Sequence, residues 1–114
     1  MTLQRRARGA AGEDRAAAWY RSQGYEVVAR NWRCREGELD LVLRSGSTVV
    51  FCEVKARASL AFGSPLEAVT PAKRRRLRRL AAAWLDQSPV PAGEIRFDVV
   101  GVLGEELEVV EAAF

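Results

Sequence analysis

The sequence contains no histidine. That absence excludes a Ser-His-Asp triad, a Cys-His pair, a histidine general base and any zinc site that needs an imidazole. Whatever chemistry the chain performs must rest on carboxylates, amines, hydroxyls or an oxygen-ligated metal. Cysteine is nearly as scarce: Cys34 and Cys52 are too few for a disulfide framework and lack the paired spacing of a zinc site. Such usage suits a reducing cytoplasm. No run approaches the roughly 20 apolar residues of a membrane span. The N-terminal stretch carries Arg5, Arg6 and Arg8 but passes through Gly9, Gly12, Glu13 and Asp14 without the apolar segment of a signal peptide. A cytoplasmic protein with no membrane partner is the expectation. Glycine (9) and proline (4) are also few among 114 residues, while 48% are hydrophobic and 29% charged. This excludes fibrous and disordered classes and fits one globular domain over residues 1–114, with residues 1–8 expected to be flexible.

Lysine is the other rarity. Of 18 basic residues only Lys55 and Lys73 are lysine, so a lysine stands out here as it would not elsewhere. The net charge of +3 conceals an uneven division. Residues 94–114 hold six acids (Glu94, Asp98, Glu105, Glu106, Glu108, Glu111) against Arg96, leaving 17 bases and 9 acids in residues 1–93. A basic body of this kind suits a polyanionic partner.

Hydrophobic periodicity orders the chain. Gly9 to Gln23 reads as a helix with Ala10, Glu13, Ala17 and Tyr20 on one stripe, which turns Glu13 inward, and Gly24 as its stop. Tyr25–Trp32 and Glu38–Leu43 read as strands joined by a polar loop with Arg33, Arg35 and Gly37. A turn at Arg44–Ser47 leads back into a third strand, Thr48–Lys55. Residues 56–69 show no sustained period and read as a mobile loop. Thr70-Pro71 starts a second helix running to Gln87, with Leu77, Leu80, Ala81, Trp84 and Leu85 on its apolar face. Lys73, four residues before Leu77, shares that face and points inward, whereas Arg74, Arg75, Arg78 and Arg79 project away. Two Val-rich strands, Ile95–Leu103 and Leu107–Ala112, close the chain. The order α-β-β-β-α-β-β predicts an α/β sandwich, a mixed sheet with flanking helices.

Strand alternation sets Glu38, Asp40 and Val42 on one face of the second strand, and Phe51, Glu53 and Lys55 on one face of the third. A short turn brings Asp40 opposite a position within about two residues of Glu53, near enough for both carboxylates to share a divalent ion. Two like charges on an inner face need a metal or Lys55 as compensation. Oxygen-only ligation favours Mg²⁺ or Mn²⁺ over zinc. The competing reading is ordinary: charged residues near a strand edge often face solvent or pair with arginines. The helical run from Lys73 to Arg79, basic at every position except Leu77, is open to the same plain reading as a solvated face. Yet clustered like charges repel, and phosphate is an obvious counter-charge. Trp32 and Phe62 are available to stack on unpaired bases; Trp84 belongs to the core face.

The pattern Glu13, Asp40, Glu53-Val54-Lys55 resembles the PD-(D/E)XK signature of the restriction-endonuclease-like superfamily. More narrowly, Gly9-Ala10-Ala11-Gly12-Glu13, Asn31-Trp32-Arg33, Gly37-Glu38-Leu39-Asp40-Leu41, Phe51-Cys52-Glu53-Val54-Lys55-Ala56-Arg57, Phe62-Gly63, Lys73 and Arg96-Phe97-Asp98-Val99 are similar to the small bacterial YraN-like family. That family is similar in fold to archaeal Holliday-junction resolvases. The resemblance implies a single restriction-endonuclease-like domain, nucleic-acid binding and metal-dependent phosphodiester cleavage of structured or branched DNA. It further implies Asp40, Glu53, the Val54 carbonyl and Glu13 as ligands to Mg²⁺ or Mn²⁺, and Lys55 as the group that orients the attacking water or meets charge on the phosphate. Arg57, Lys73, Arg74, Arg75, Arg78 and Arg79 would bind nucleic acid. Leu39 stands where the textual motif has proline. A homodimer would suit symmetric cutting of two strands. Two other readings stay open: a non-cleaving nucleic-acid-binding module of the same fold, and a structural or regulatory interaction protein whose carboxylates only form ion pairs.

Overall fold

The computed structural model describes residues 3–57 and 65–114, with side chains from Ala10 onward apart from that of Arg57. The elements are α1 (Leu3–Ser22), β1 (Glu26–Cys34), β2 (Gly37–Ser45), β3 (Thr48–Arg57), a 3₁₀ turn (Pro65–Ala68), α2 (Pro71–Gln87), β4 (Glu94–Leu103) and β5 (Glu106–Val110). Their order is the predicted α-β-β-β-α-β-β. The five strands form one mixed sheet in the order β1-β2-β3-β4-β5. Only β3 and β4 run parallel, joined through α2; every other neighbouring pair is antiparallel.

Each face of the sheet carries one helix. On β3, Val49 and Phe51 join the core beneath α2, which contributes Leu77, Leu80, Ala81 and Trp84. The alternate residues Val50 and Cys52 join Ala16, Ala17 and Tyr20 of α1. Because the central strands are covered on both sides, β3 and β4 read as nearly continuous apolar runs rather than alternating ones.

The helix ends follow from local chemistry. Gly24, at φ 90°, ends α1 in a left-handed turn that a side chain would strain. The N–H of Tyr25 reaches the Tyr20 carbonyl and that of Gly24 reaches Arg21, which satisfies carbonyls the helix end leaves open. At α2, the Thr70 hydroxyl accepts the Lys73 N–H at 3.2 Å and Pro71 occupies the first turn.

Several boundaries differ from the sequence reading. α1 begins at Leu3 rather than Gly9, so residues 3–8 continue the helix. Alanine and arginine there favour helix, although they carry no apolar stripe that would announce it. β1 and β2 extend to Cys34 and from Gly37, leaving a tight turn at Arg35-Glu36 in place of a longer polar loop. Ala56 and Arg57 belong to β3, and Pro65–Ala68 form a 3₁₀ turn, so the aperiodic stretch is shorter than 56–69. Parallel pairing with β4 extends β3 to Arg57. The remainder of that loop, with Phe62 and Gly63, lies outside the described residues. Among the described residues no helix is long and apolar enough to cross a membrane.

Candidate metal centre and its basic flank

β2 and β3 part company near their ends. Their pairing runs from Ser45 and Thr48 to Leu41 and Cys52, then stops. Beyond that point β2 stays with β1 as far as Gly37, while β3 stays with β4 as far as Arg57. The sheet therefore forks. The established register, carried one step further, sets Asp40 on one arm opposite Glu53 on the other. At the same step Asp40 Oδ2 accepts the Val54 N–H at 2.8 Å, so a side chain takes a donor where the two-strand ladder has ended.

Two helices close on this fork from opposite faces. α1 approaches through Gly12, where an added Cβ would lie 3.4 Å from Ala56 Cβ and 3.6 Å from Val54 Cγ1. A Cβ there would make ordinary van der Waals contact, so α1 packs directly on β3 at this point and carries the next residue, Glu13, to the site. From the other face α2 delivers Lys73, whose Nζ lies 2.9 Å from Glu53 Oε1. Lys55 Nζ lies 3.6 Å from that same oxygen. Glu53 is buried, and both amines are partly buried. The only two lysines of the chain thus converge on one carboxylate oxygen.

The charge balance leaves Asp40 exceptional. Burial, and then the negative charges of Glu53, Glu13 and Glu38, push its carboxyl up to about 7 against the opposing Val54 hydrogen bond. Burial lowers Lys55, as do the hydrogen bond and positive charge of Lys73, against the pull of Glu53 and Asp40. Asp40 has a stability consequence. An acid whose folded pKa exceeds its unfolded value binds more protons in the native state, so stability declines as pH rises from about 4 to 7. Asp40→Asn keeps an oxygen for the Val54 N–H and removes the charge. It should raise stability at pH 8 by about 1–3 kcal/mol and have little effect at pH 4. Urea denaturation at both pH values measures this; a variant less stable than the parent at pH 8 would show that the repulsion is absent.

Glu13 reaches the same neighbourhood with Arg30 Nη2 at 3.5 Å, while Arg30 Nη1 lies 2.7 Å from Asp14 Oδ1. Arg30 precedes Asn31, whose φ of 52° is left-handed, a conformation asparagine tolerates better than most residues. The kink separates the two residues that flank it in β1: Arg30 serves the carboxylates of α1, whereas Trp32 packs into the core beneath α2. Among the described residues no three carboxylate or thiol side chains already stand close enough together to hold an ion. Asp40, Glu53 and Glu13 are neighbours, with Glu53 engaged by ammonium and Glu13 by guanidinium. By donor type they fit a hard divalent cation: their ligands are all oxygen, and Asp40 carries a charge excess that such an ion would relieve.

The basic residues of α2 divide among three tasks. Lys73 turns into the site. Arg74 donates Nε to the Val69 carbonyl at 3.1 Å and lies 5.5 Å over the ring of Phe114; Arg78 lies 5.6 Å over that same ring. Phe114 itself stacks on Phe97 at 5.1 Å, and Phe97 on Phe51 at 5.6 Å. Arg75 and Arg79 are exposed, Arg79 with Glu36 at 3.8 Å. Arg57 continues β3, but its side chain lies outside the described structure, as does Phe62. Trp84 is buried in the core, edge-on to Phe51.

Sequence reasoning did not anticipate Arg30, the aromatic stack under Arg74 and Arg78, or a second buried polar cluster. There the fully buried Asp98 accepts the Tyr20 hydroxyl at 2.6 Å, Arg96 through Nε at 2.9 Å and Nη2 at 2.8 Å, and the Ala112 N–H at 3.0 Å. The signal was a lone acid inside the apolar run Phe97-Asp98-Val99-Val100, where only a paired carboxylate survives burial.

The motifs that build the fork can be compared with known proteins. Residues 12–102 match the model of the uncharacterised protein family UPF0102. A UPF0102 protein of Beutenbergia cavernae is 61% identical, over 83% of this chain and 80% of that protein. One of Nocardia farcinica is 57% identical, over 87% and 78%. One of Acidothermus cellulolyticus is 46% identical, over 96% and 95% of the two chains. With a family model that spans the fork, the C-terminal part of α1, all of α2 and four of the five strands, and relatives this similar over most of their length, the chain belongs to the uncharacterised protein family UPF0102, the YraN-like branch of the PD-(D/E)XK superfamily.

Proposed function

We propose that this chain is a nucleic-acid-binding protein that cleaves phosphodiester bonds of structured or branched DNA with the help of Mg²⁺ or Mn²⁺. The observation that carries the reading is the fork: Asp40 and Glu53 face each other across a gap in the sheet, with Glu13 beside them and Lys55 two residues from Glu53. Asp40, Glu53, the Val54 carbonyl and Glu13 would hold the ion. Such an ion supplies charge for the phosphate oxygens and acidifies a bound water. Lys55 reaches the same point as a compact ammonium able to orient that water. The basic stretch of α2 supports a polyanionic partner, because six cationic residues crowd the two turns at the positive end of the helix dipole, where anions are favoured and cations are not. Arg75 and Arg79, exposed on that stretch, are its phosphate contacts.

A second reading, binding without cutting, draws on one observation: Lys73 at 2.9 Å already neutralises Glu53, as it would in a purely ionic cluster. The two part on a single assay. Labelled four-way junction, flap and duplex DNA are incubated with the protein and Mg²⁺, beside Glu53→Gln. Cleavage of at least one form, lost in Glu53→Gln while binding remains, is the expected result. Binding without cleavage in both proteins sinks the enzymatic part, and failure to bind any form sinks the reading as a whole.

A further inference from the structure

Lys73 carries more than a place in a basic run. In a chain that uses arginine for nearly every positive charge, both lysines meet at Glu53 Oε1, and Lys73 is the closer, at 2.9 Å against 3.6 Å. It arrives from a different element than Lys55, across the face of the sheet, and its backbone is pinned by the Thr70 cap one turn inside α2. The five other basic residues of the run do otherwise: Arg74 and Arg78 lie over Phe114, while Arg75, Arg76 and Arg79 are exposed. Lys73 is thus the one member of the run whose charge is spent on the buried carboxylate of the fork.

We propose that Lys73 is a built-in counter-cation, which occupies Glu53 until a divalent ion displaces it, so that metal entry and release of the ammonium are coupled. The inference rests on the metal reading of Asp40 and Glu53 given above and adds a regulation to it. A carboxylate oxygen that accepts a charge-assisted hydrogen bond from an ammonium is a poorer ligand for a second cation, since the two compete for the same lone pairs and repel each other. A flexible four-carbon stem lets an ammonium swing away at small cost, which a rigid guanidinium fork stacked or bridged at the same point would not allow. This explains why lysine stands at this position amid arginines. Displaced from Glu53, and with Asp40 taken up by the same ion, the Lys73 ammonium would find its next counter-charge in the phosphate of a bound strand. Metal loading would then switch this residue from an internal ion pair to a contact for nucleic acid.

The test is Mn²⁺ binding by calorimetry on the full chain without nucleic acid, comparing the parent with Lys73→Gln, Lys73→Arg and Arg76→Gln. Arg76→Gln removes the same unit of charge from an exposed position on the same helix and corrects for the general field. Lys73→Gln should bind Mn²⁺ roughly five- to thirtyfold more tightly than the parent, the range of a partly buried charged hydrogen bond. Arg76→Gln should gain less than about twofold, as a screened surface charge does. Lys73→Arg should bind no more tightly than the parent. Equal Mn²⁺ affinity in the parent and Lys73→Gln, or weaker affinity in the variant, overturns the competition while leaving the metal site standing. No saturable heat in any of the four proteins removes the metal reading, and the competition with it. A second measurement does not depend on a substitution. With two lysines in the chain, ¹³C labelling of the lysine ε-carbons yields two signals, and Mg²⁺ should shift that of Lys73 along a saturable curve; a Lys73 signal unmoved at saturating Mg²⁺ refutes its displacement.

Discussion

If the chain cleaves as proposed, Lys55→Arg and Lys55→Ala should each lose Mg²⁺-dependent cleavage by about a hundred- to ten-thousandfold, the span of a removed proton-transfer or charge-stabilising group. DNA affinity should fall by less than about threefold, because a group that acts mainly in the transition state lowers turnover more than ground-state binding. The arginine variant is the sharper of the two. Lys55 sits on β3 with its amine 3.6 Å from Glu53 Oε1, in a space already shared with the Lys73 amine. A guanidinium is planar, longer and differently directed, so it restores the charge without restoring the position of the donor. Burial and Lys73 both lower the pKa of Lys55, which makes it a readier proton partner than a free lysine. Turnover and affinity on one substrate decide the matter, and a fully active Lys55→Arg protein would sink the role assigned to this amine. If the chain binds without cutting, Lys55→Arg should be nearly silent in every assay.

Asp98→Ala should cost about 3–5 kcal/mol, a large share of the roughly 5–15 kcal/mol that holds a domain of this size together. The reason is what the substitution leaves behind. Asp98 is fully buried and gathers the Tyr20 hydroxyl from α1, the Arg96 guanidinium on its own strand and the Ala112 N–H from the segment after β5. Without the carboxylate, Arg96 keeps its charge beside Tyr25, with the Glu111 carboxylate 3.9 Å away, and the Tyr20 hydroxyl is stranded in the core. The midpoint of thermal unfolding should fall by about 15–30 °C. A loss below about 1 kcal/mol would mean that the cluster relaxes into water and is no keystone. Since Asp98 lies on the α1 side, bonded to Tyr20 and Arg96, the loss should appear in stability and leave unchanged any Mn²⁺ affinity of the proposed site.

The two clusters show how differently polar groups are used within one sheet. Asp98 is fully satisfied, with four donors within 3.0 Å, two on each oxygen. Asp40 has the Val54 N–H and three acidic neighbours whose charges oppose its own. The first arrangement stabilises the fold, whereas the second costs stability and sits at the point where β2 and β3 separate. A cost of this kind is typical of sites kept for chemistry.

By itself, the sequence determined the elements and the candidates. Apolar spacing on the second helix placed Pro71–Gln87 with the boundaries it has, because Thr70, Pro71 and the Leu77-Leu80-Ala81-Trp84 face are local signals that no distant contact overrides. The absence of histidine confined any chemistry to carboxylates and amines, and the motif order pointed to Glu13, Asp40, Glu53 and Lys55. Lys73 was legible as inward-facing from its spacing to Leu77. Its direction toward the carboxylate site was legible too, but not the particular partner, because the meeting of α2 with Glu53 Oε1 depends on the crossover between β3 and β4, a contact distant along the chain. Tertiary structure alone decided that β2 and β3 fork at Asp40, that Asn31 turns Arg30 toward Glu13, and that Phe114 folds back under Arg74 and Arg78. Periodicity reports which face of an element is buried, since that depends on neighbours three or four residues away. Which buried faces meet, and where a pairing stops, depends on the packing of all the elements at once.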